Sequence, residues 1–225
     1  MALEIITTGD GSHSLLNHEL NETYHSVHGA LRESLHVFIK HGLSFFHDKY
    51  AGKDIAVFEV GFGTGLNALL TAEEAAAKGF TVHYTSIEAY PLEEAVWRNL
   101  NYAPEPVQQE WFARLHQAAW GEPVEALPRF YLNKLKTTLQ TVALAPASFD
   151  IIYFDAFAPS KQPEMWTLPM LEKVVNALKS GGVFVTYCAK GQLKRDLKSL
   201  GLVVETLEGP PGKKEMVRGV LPVAP

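Results

Sequence analysis

The sequence predicts an α/β fold in one main domain: a seven-stranded, mostly parallel sheet flanked by helices and closed by a C-terminal antiparallel hairpin. Three observations carry this prediction. From residue 55 onward, short runs rich in β-branched and aromatic residues alternate with helical periodicity, the pattern of strands joined by crossover helices. The last two strand-like runs are separated by "EGPPGKK", too short for a crossover helix, so they must pair antiparallel. A glycine-rich turn, "EVGFGTGLN", follows the first of these strands and opens the first helix.

In order along the chain, strands are expected at Ile55–Val60, Val82–Glu88, Arg129–Leu135, Phe149–Phe154, Val183–Tyr187, Leu202–Leu207 and Glu215–Val220. Helices are expected at Leu66–Lys78, Leu92–Leu100, Leu168–Lys179 and Gln192–Leu200. Pro91 reads as part of a first helical turn, with Glu93 and Glu94 at its positive end. The stretch 103–128, with four prolines, reads as an irregular insertion. Ahead of the sheet, "EIITTGDGSHSLLN" reads as a hairpin turning at Gly9, Asp10 and Gly11. "VHGALRESLHVFIKHGL" places Val27, Leu31, Leu35 and Phe38 on one helical face. Residues 1–53 are therefore expected to form a cap on the main domain, 54–225.

Length and composition narrow the class of molecule. With 225 residues, 47% of them hydrophobic, the chain can bury one substantial core but not two ordinary domains. No basic n-region and h-region open it, and no window reaches the roughly 18–20 apolar residues that cross a bilayer. A cytoplasmic protein with no membrane association is expected, with a monomer as the default. The single cysteine, Cys188, allows no internal disulfide and no thiolate cluster, and its "VTYCAK" setting reads as a buried thiol near a strand end.

The net charge of −5 argues against a general electrostatic grip on nucleic acid. Residues 156–225, however, hold 10 Lys and Arg against 6 Asp and Glu, which leaves room for an anion-binding edge. All nine histidines precede residue 117, and a metal site built from His25, His28 and His36 is conceivable, yet no ligand pair has zincin-like context and no metal is expected.

Chemistry concentrates in two motifs. Gly61, Gly63 and Gly65 let a ligand approach backbone N–H groups where a Cβ would clash. No GK[ST] tail follows, which removes a P-loop, and the G-x-G-x-G spacing differs from the G-x-G-x-x-G of nicotinamide enzymes. Glu59 precedes the glycines, and Glu88 ends the second strand, where a carboxylate accepts the hydroxyls of a ribose. The second motif, "FDIIYFDAFAPSKQPEMW", puts Asp155 at the carboxyl edge of the sheet, with Pro159 and Pro163 stiffening the loop behind it. An amine attacks a sulfonium methyl only as the free base, so a carboxylate there can hydrogen-bond the amine and aim its lone pair. Phe157, Trp166 and Trp111 could stack an unpaired base. Lys213 and Lys214, beside the terminal hairpin, could meet phosphates.

"EVGFGTGLNALL", "SIEAYPL", "FDAFAPSKQPEMW" and "GPPGKKEMVRG", in this order over nearly the whole chain, resemble the Methyltransf_30 (DUF752) family, the MnmC-type tRNA methyltransferases. The resemblance implies a class I fold that binds S-adenosyl-L-methionine (SAM) and releases S-adenosylhomocysteine (SAH). It implies methylation of the aminomethyl nitrogen of 5-aminomethyl-(2-thio)uridine at the tRNA wobble position, with the anticodon stem-loop as partner. It makes Asp155 catalytic and cofactor-contacting, with Glu59, Gly61, Phe62, Gly63, Thr64, Gly65, Asn67 and Glu88 binding SAM. Phe157, Pro159, Lys161, Trp166, Lys213 and Lys214 are the candidate substrate contacts.

Two departures qualify it. The bifunctional member carries an FAD-dependent oxidase domain, whereas no FAD is expected here. Where the family commonly has Gly-Asp after the third strand, this chain has Asn133-Lys134, so a backbone or Asn133 contact would have to serve the adenine. A SAM-dependent methyltransferase of a small-molecule or protein amine stays open as the alternative, and a non-catalytic SAM- or RNA-binding adaptor and an NAD-dependent oxidoreductase stand behind it.

Overall fold

The computed structural model describes residues 3–50 and 54–223. The expected boundary between cap and main domain, at 53/54, therefore abuts residues outside the described ones. The main sheet has eight strands in the order β10-β11-β9-β8-β4-β5-β7-β6. Its members are β4 (Ile55–Val60), β5 (Val82–Ile87), β6 (Val124–Leu127), β7 (Phe130–Leu135), β8 (Phe149–Phe154), β9 (Leu178–Thr186), β10 (Val203–Glu208) and β11 (Glu215–Val220). Strands β7, β5, β4, β8 and β9 run parallel, while β10 and β11 form the antiparallel hairpin that the short "EGPPGKK" linker requires.

The expected count of seven strands falls one short. The stretch read as irregular holds a helix, α5 (Pro106–Gln117), followed by the edge strand β6. Prolines misled the reading: Pro106 occupies the first turn of α5, where its missing N–H costs nothing, and Glu105 with Gln108 closes a capping box in front of it.

Helices α3 (Leu66–Lys78), α6 (Leu168–Asn176) and α7 (Gly191–Ser199) flank the sheet. The helix expected to reach Lys179 stops at Asn176, because Leu178 already pairs with Phe149 as the start of β9. The one expected at Leu92–Leu100 shrinks to α4 (Glu94–Trp97). Residues 99 and 100 close onto carbonyls three residues back, a tightening turn that ends the helix, and Pro91 lies outside it.

The N-terminal hairpin forms as the turn residues predict. β1 (Leu3–Thr7) pairs antiparallel with β2 (His13–Asn17), and a short β3 (Glu22–Thr23) adds to β2. Three continuous helical segments follow: α1 (Ala30–Ser34), a π-helical stretch (Leu35–Ser44) and α2 (Phe45–Lys49). The apolar face expected here is half right. Phe38 is buried and Leu31 packs partly buried on the core, whereas Val27 precedes the helix and is 53% exposed and Leu35 is 46% exposed. Val37, Ile39, Leu43 and Phe46 complete the buried face together with Ala30, Glu33 and Ser34. The helix comes closest to the sheet at Gly42, where a Cβ would lie 3.0 Å from Val185 and 3.2 Å from Tyr153.

Cys188 is buried just past β9, where its strand-end setting placed it. Among the described residues, no helix is long and apolar enough to cross a membrane.

Candidate active site

Strand order reverses between β4 and β8, and open α/β sheets bind ligands in the crevice beyond the carboxyl ends of strands at such a point. A cavity of about 560 Å³ lies there. Its wall comes from the glycine turn after β4 (residues 61–64), the start of α3, the segment after β5 (87–90), the segment after β7 (137–140), the loop after β8, and the cap.

The glycine turn is made by backbone geometry. Gly61, Gly63 and Gly65 all have positive φ, at 94°, 50° and 75°. A Cβ on Gly61 would also sit 3.2 Å from the carbonyl oxygen of Asp155, so the turn and the loop after β8 approach through backbone. The amides of Gly61 and Phe62 both donate to the Ile87 carbonyl, which ties the turn to β5. Glu88, immediately past β5, accepts from Gly63 N and Tyr90 N, each at 2.9 Å. Each of its oxygens keeps a further lone pair for a sugar hydroxyl.

Asp155 follows β8, and its Oδ2 accepts from Asn67 Nδ2 at 2.8 Å. The same Asn67 amide donates to Glu59 Oε1 at 3.1 Å, and Ser86 Oγ donates to Glu59 Oε2 at 2.7 Å. One amide therefore bridges two carboxylates. Burial pushes Glu59 up to about 8, and the charge of Asp155 adds to the rise against the Ser86 and Asn67 hydrogen bonds. Burial likewise lifts Asp155 to about 7, reinforced by Glu33 and opposed by Asn67 and by the Lys213 ammonium. Asp155 is thus poised near neutrality, where an ordinary aspartate is fully ionised.

The cavity wall gathers Gly61, Phe62, Gly63, Thr64, Asn67, Glu88, Asp155, Phe157 and Lys161 from the sequence-derived candidates. Several others lie elsewhere. Glu59 is 1% exposed and stands behind Asn67, and Gly65 lies beneath the turn against His116. Trp166 is buried: its indole N–H donates to the Phe157 carbonyl at 2.8 Å, and its ring packs on Phe154, which leaves no open face for a base. Trp111 lines a separate shallow hollow beside Glu73, and Pro159 is off the wall. Lys214 is exposed at the hairpin tip, whereas Lys213 is paired to Glu33.

Asn133 lies mid-strand opposite Thr85, so it does not face the cavity in place of the expected acid. Its neighbour Lys134 is fully buried: its Nζ donates to the His116 carbonyl, lies over the Trp120 and Phe62 rings, and is pushed down to about 8 by burial. The wall beyond β7 is built instead by Thr137, Thr138, Leu139 and Gln140.

Sequence reasoning assigned no role to the cap residues that line the cavity: Asn17, Glu19, Leu20, Tyr24 and His25. Tyr24 meets Phe157 edge-on at 5.1 Å, and its ring lies 3.3 Å from where a Gly63 Cβ would be, so it bridges the glycine turn and the loop after β8. His25 Nε2 hydrogen-bonds Thr64 Oγ1 at 2.7 Å, and burial holds its pKa down at about 4, leaving a neutral imidazole near pH 7. The available signal was "ETYHS" itself, two polar aromatics outside any periodic element. Among the described residues, no group of three or more His, Cys, Asp or Glu is arranged to hold a metal.

Comparison with known proteins places this geometry. The Methyltransf_30 model, an S-adenosyl-L-methionine-dependent methyltransferase, matches residues 102–222. Among curated proteins, the chain is similar to the tRNA 5-methylaminomethyl-2-thiouridine biosynthesis bifunctional protein MnmC of Magnetococcus marinus, at 32% identity over 88% of this chain and 31% of that protein. The protein of the same name from Nitrosospira multiformis is 27% identical over 94% of the chain and 36% of its own length. The chain thus spans about a third of these relatives. Among solved structures, MnmC2 from Aquifex aeolicus superposes with a TM-score of 0.82 at 26% identity, covering 99% of this chain and 71% of that one. The family match over residues 102–222 and the 32% identical relative show that the chain belongs to the Methyltransf_30 family of S-adenosyl-L-methionine-dependent methyltransferases, and the glycine turn and strand order agree with it.

Proposed function

We propose that this enzyme methylates the aminomethyl nitrogen of 5-aminomethyl-(2-thio)uridine at the tRNA wobble position, giving the 5-methylaminomethyl form and SAH. The observation that carries the reading is Asp155, held by Asn67 on the cavity wall and raised to about 7. The names of the curated relatives supply the acceptor. The residues present fit the cofactor: the positive-φ glycines form a cradle that a Cβ would fill, and Glu88 stands at the end of β5 for the ribose. When bound, SAM supplies a methyl group on a positively charged sulfur, the leaving group of an in-line displacement.

Everything else falls to the chain. Asp155, nearer neutrality than an ordinary carboxylate, accepts a proton from the acceptor's ammonium more readily and then holds the free amine by one N–H. The nitrogen lone pair is left to point toward the methyl. As the N–C bond forms, the C–S bond would break with its electron pair on sulfur, the product leaves as the N-methylammonium, and Asp155 returns to solvent the proton it took from the acceptor, ready for the next turnover. Tyr24 and Phe157 close the cavity over this point and exclude water. Lys161 on the wall and exposed Lys214 are available to the phosphates of an anticodon stem-loop. No step draws on a metal or a flavin, and the reaction suits a cytoplasmic enzyme.

Incubation with labelled SAM and tRNA from cells lacking this methylation, followed by nucleoside analysis, tests the reading. Label in 5-methylaminomethyl-uridines is the expected result. Label only in a small amine or a protein, with the tRNA unmodified, would overturn it.

A further inference from the structure

We infer that Lys213 and Glu33 act as a positioning pair for Asp155, a joined cation and carboxylate that fix the acceptor loop and balance the charge felt by the catalytic group. The inference rests on the proposed function, in which Asp155 handles the acceptor amine, and it gives Lys213 a different task from gripping phosphate.

The two residues lie 180 positions apart, Glu33 on α1 of the cap and Lys213 in the loop joining β10 to β11. The Lys213 ammonium is bonded to Glu33 Oε1, and the other Glu33 oxygen accepts from Ser26 N at 2.7 Å. Glu33 is 4% exposed, so its charge is desolvated and depends on the lysine. Lys213 Nζ also lies 3.7 Å from the centroid of the Tyr187 ring, a cation–π contact. The Tyr187 hydroxyl donates in turn to the carbonyl of Ala156 at 2.8 Å, the residue directly after Asp155. A continuous chain of contacts therefore runs from the cap, through the hairpin tip, to the backbone of the acceptor loop. An ammonium engaged in this way is not presented to an incoming phosphate, while Lys214 beside it is exposed.

The charges facing Asp155 come from five elements. Glu59 on β4 reaches it through the shared Asn67, Glu33 stands on α1, Lys213 on the hairpin loop, Tyr84 on β5, and Tyr187 past β9; His25 feels Glu33 and Lys213 together. Glu33 disfavours the ionised carboxyl of Asp155 and Lys213 favours it. The two effects oppose each other, so breaking the pair from either side must move Asp155 in opposite directions.

Carbon-detected NMR titration of the Asp155 carboxyl in the ligand-free protein reads this without cofactor or RNA, with the signal assigned through Asp155→Asn. Lys213→Met is expected to move the midpoint up by about one pH unit and Glu33→Gln to move it down, with the double variant returning near the starting value. Lys213→Arg should keep the starting midpoint. Because Lys213 is partly exposed and can be solvated alone, Glu33→Gln should remain folded even where Lys213→Met, which leaves the buried Glu33 charge unpaired, does not, and a midpoint unmoved by the glutamate variant decides the matter against the pair. A midpoint unmoved by Lys213→Met overturns the inference. So does a purely salt-dependent rise in KM for tRNA in that variant, the signature of a phosphate contact. If the midpoints move as expected and tRNA is not methylated, the pair stands and the proposed acceptor falls.

Discussion

The two sides of the cavity are built by different means. The side proposed for the cofactor is backbone: three glycines with positive φ, amides bonded to the Ile87 carbonyl, and one carboxylate at the next strand end. The side proposed for the acceptor is side chains brought from distant segments: Tyr24 and His25 from the cap, Asn67 from α3, Asp155 and Phe157 after β8, with Glu33 and Lys213 behind them. A backbone site tolerates little change at its glycines. A side-chain site divides its work among residues whose removal should separate binding from chemistry.

The sharpest way to test that division is Asp155→Asn. It preserves shape and removes the charge, and turnover is expected to fall by roughly 10²-fold or more, while SAH affinity by calorimetry stays near that of the unaltered protein. Equal losses in both would mean that the two sides are not separable. Gly61→Ala should do the reverse of separating them. Its φ of 94° and the 3.2 Å approach to the Asp155 carbonyl oxygen force either strain or displacement of the acceptor loop. A non-glycine residue held there costs about 1–3 kcal/mol, so thermal stability and SAH affinity should drop together. An unchanged melting temperature would show that the turn relaxes without the acceptor loop.

The same contrast explains what could be read in advance. The glycine turn, Glu88 and the strand carrying Asp155 are local patterns, since backbone conformation is dictated by residues adjacent in sequence. Strands β4, β8 and β11 begin and end where the residue runs do. The cap's contribution was hard to read because "ETYHS" marks Tyr24 only as a polar aromatic outside any periodic element; its place in the cavity depends on the helical segment after it packing on the sheet, with Gly42 close to Val185 and Tyr153 and Leu35 turned outward. Trp166 shows the converse error. An aromatic in a chemistry-bearing motif looked like a ligand platform, yet it packs on Phe154 and holds the Phe157 carbonyl in place. Lys213 differs from Lys214 through a carboxylate 180 residues away and the Tyr187 ring against its ammonium, neither adjacent in sequence.

Tyr24 offers a gentler test of whether the cap belongs to the acceptor side. The edge-on contact with Phe157 is worth about 0.5–1.5 kcal/mol. Tyr24→Ala should therefore raise KM for tRNA roughly threefold to tenfold with a smaller change in kcat, whereas Tyr24→Phe keeps the ring and most of the effect. A loss confined to SAM affinity would move Tyr24 to the cofactor side instead.

A different kind of effect, on stability rather than on binding, is expected of Glu59, which does not line the cavity but shares Asn67 with Asp155. Its carboxyl is raised from an ordinary value of 4.5 to about 8, first by burial. Between those two values the folded state holds a proton that the unfolded chain has released, so stability falls as pH rises through this window. Asp155, raised to about 7, adds a slope of the same sign over the lower part of it. Glu59→Gln keeps the amide-sized group bonded near Ser86 and Asn67 but removes its titration. Melting temperatures at pH 5 and pH 8 should then lie closer together in the variant, where each kcal/mol of lost pH dependence corresponds to roughly 2–4 °C. Asp155→Asn should narrow the same gap mostly below pH 7, and the double variant should flatten it further. If Glu59→Gln leaves the gap untouched, the buried carboxyl is ionised throughout, and the Asn67 bridge must be joining two charges rather than a charge and an acid.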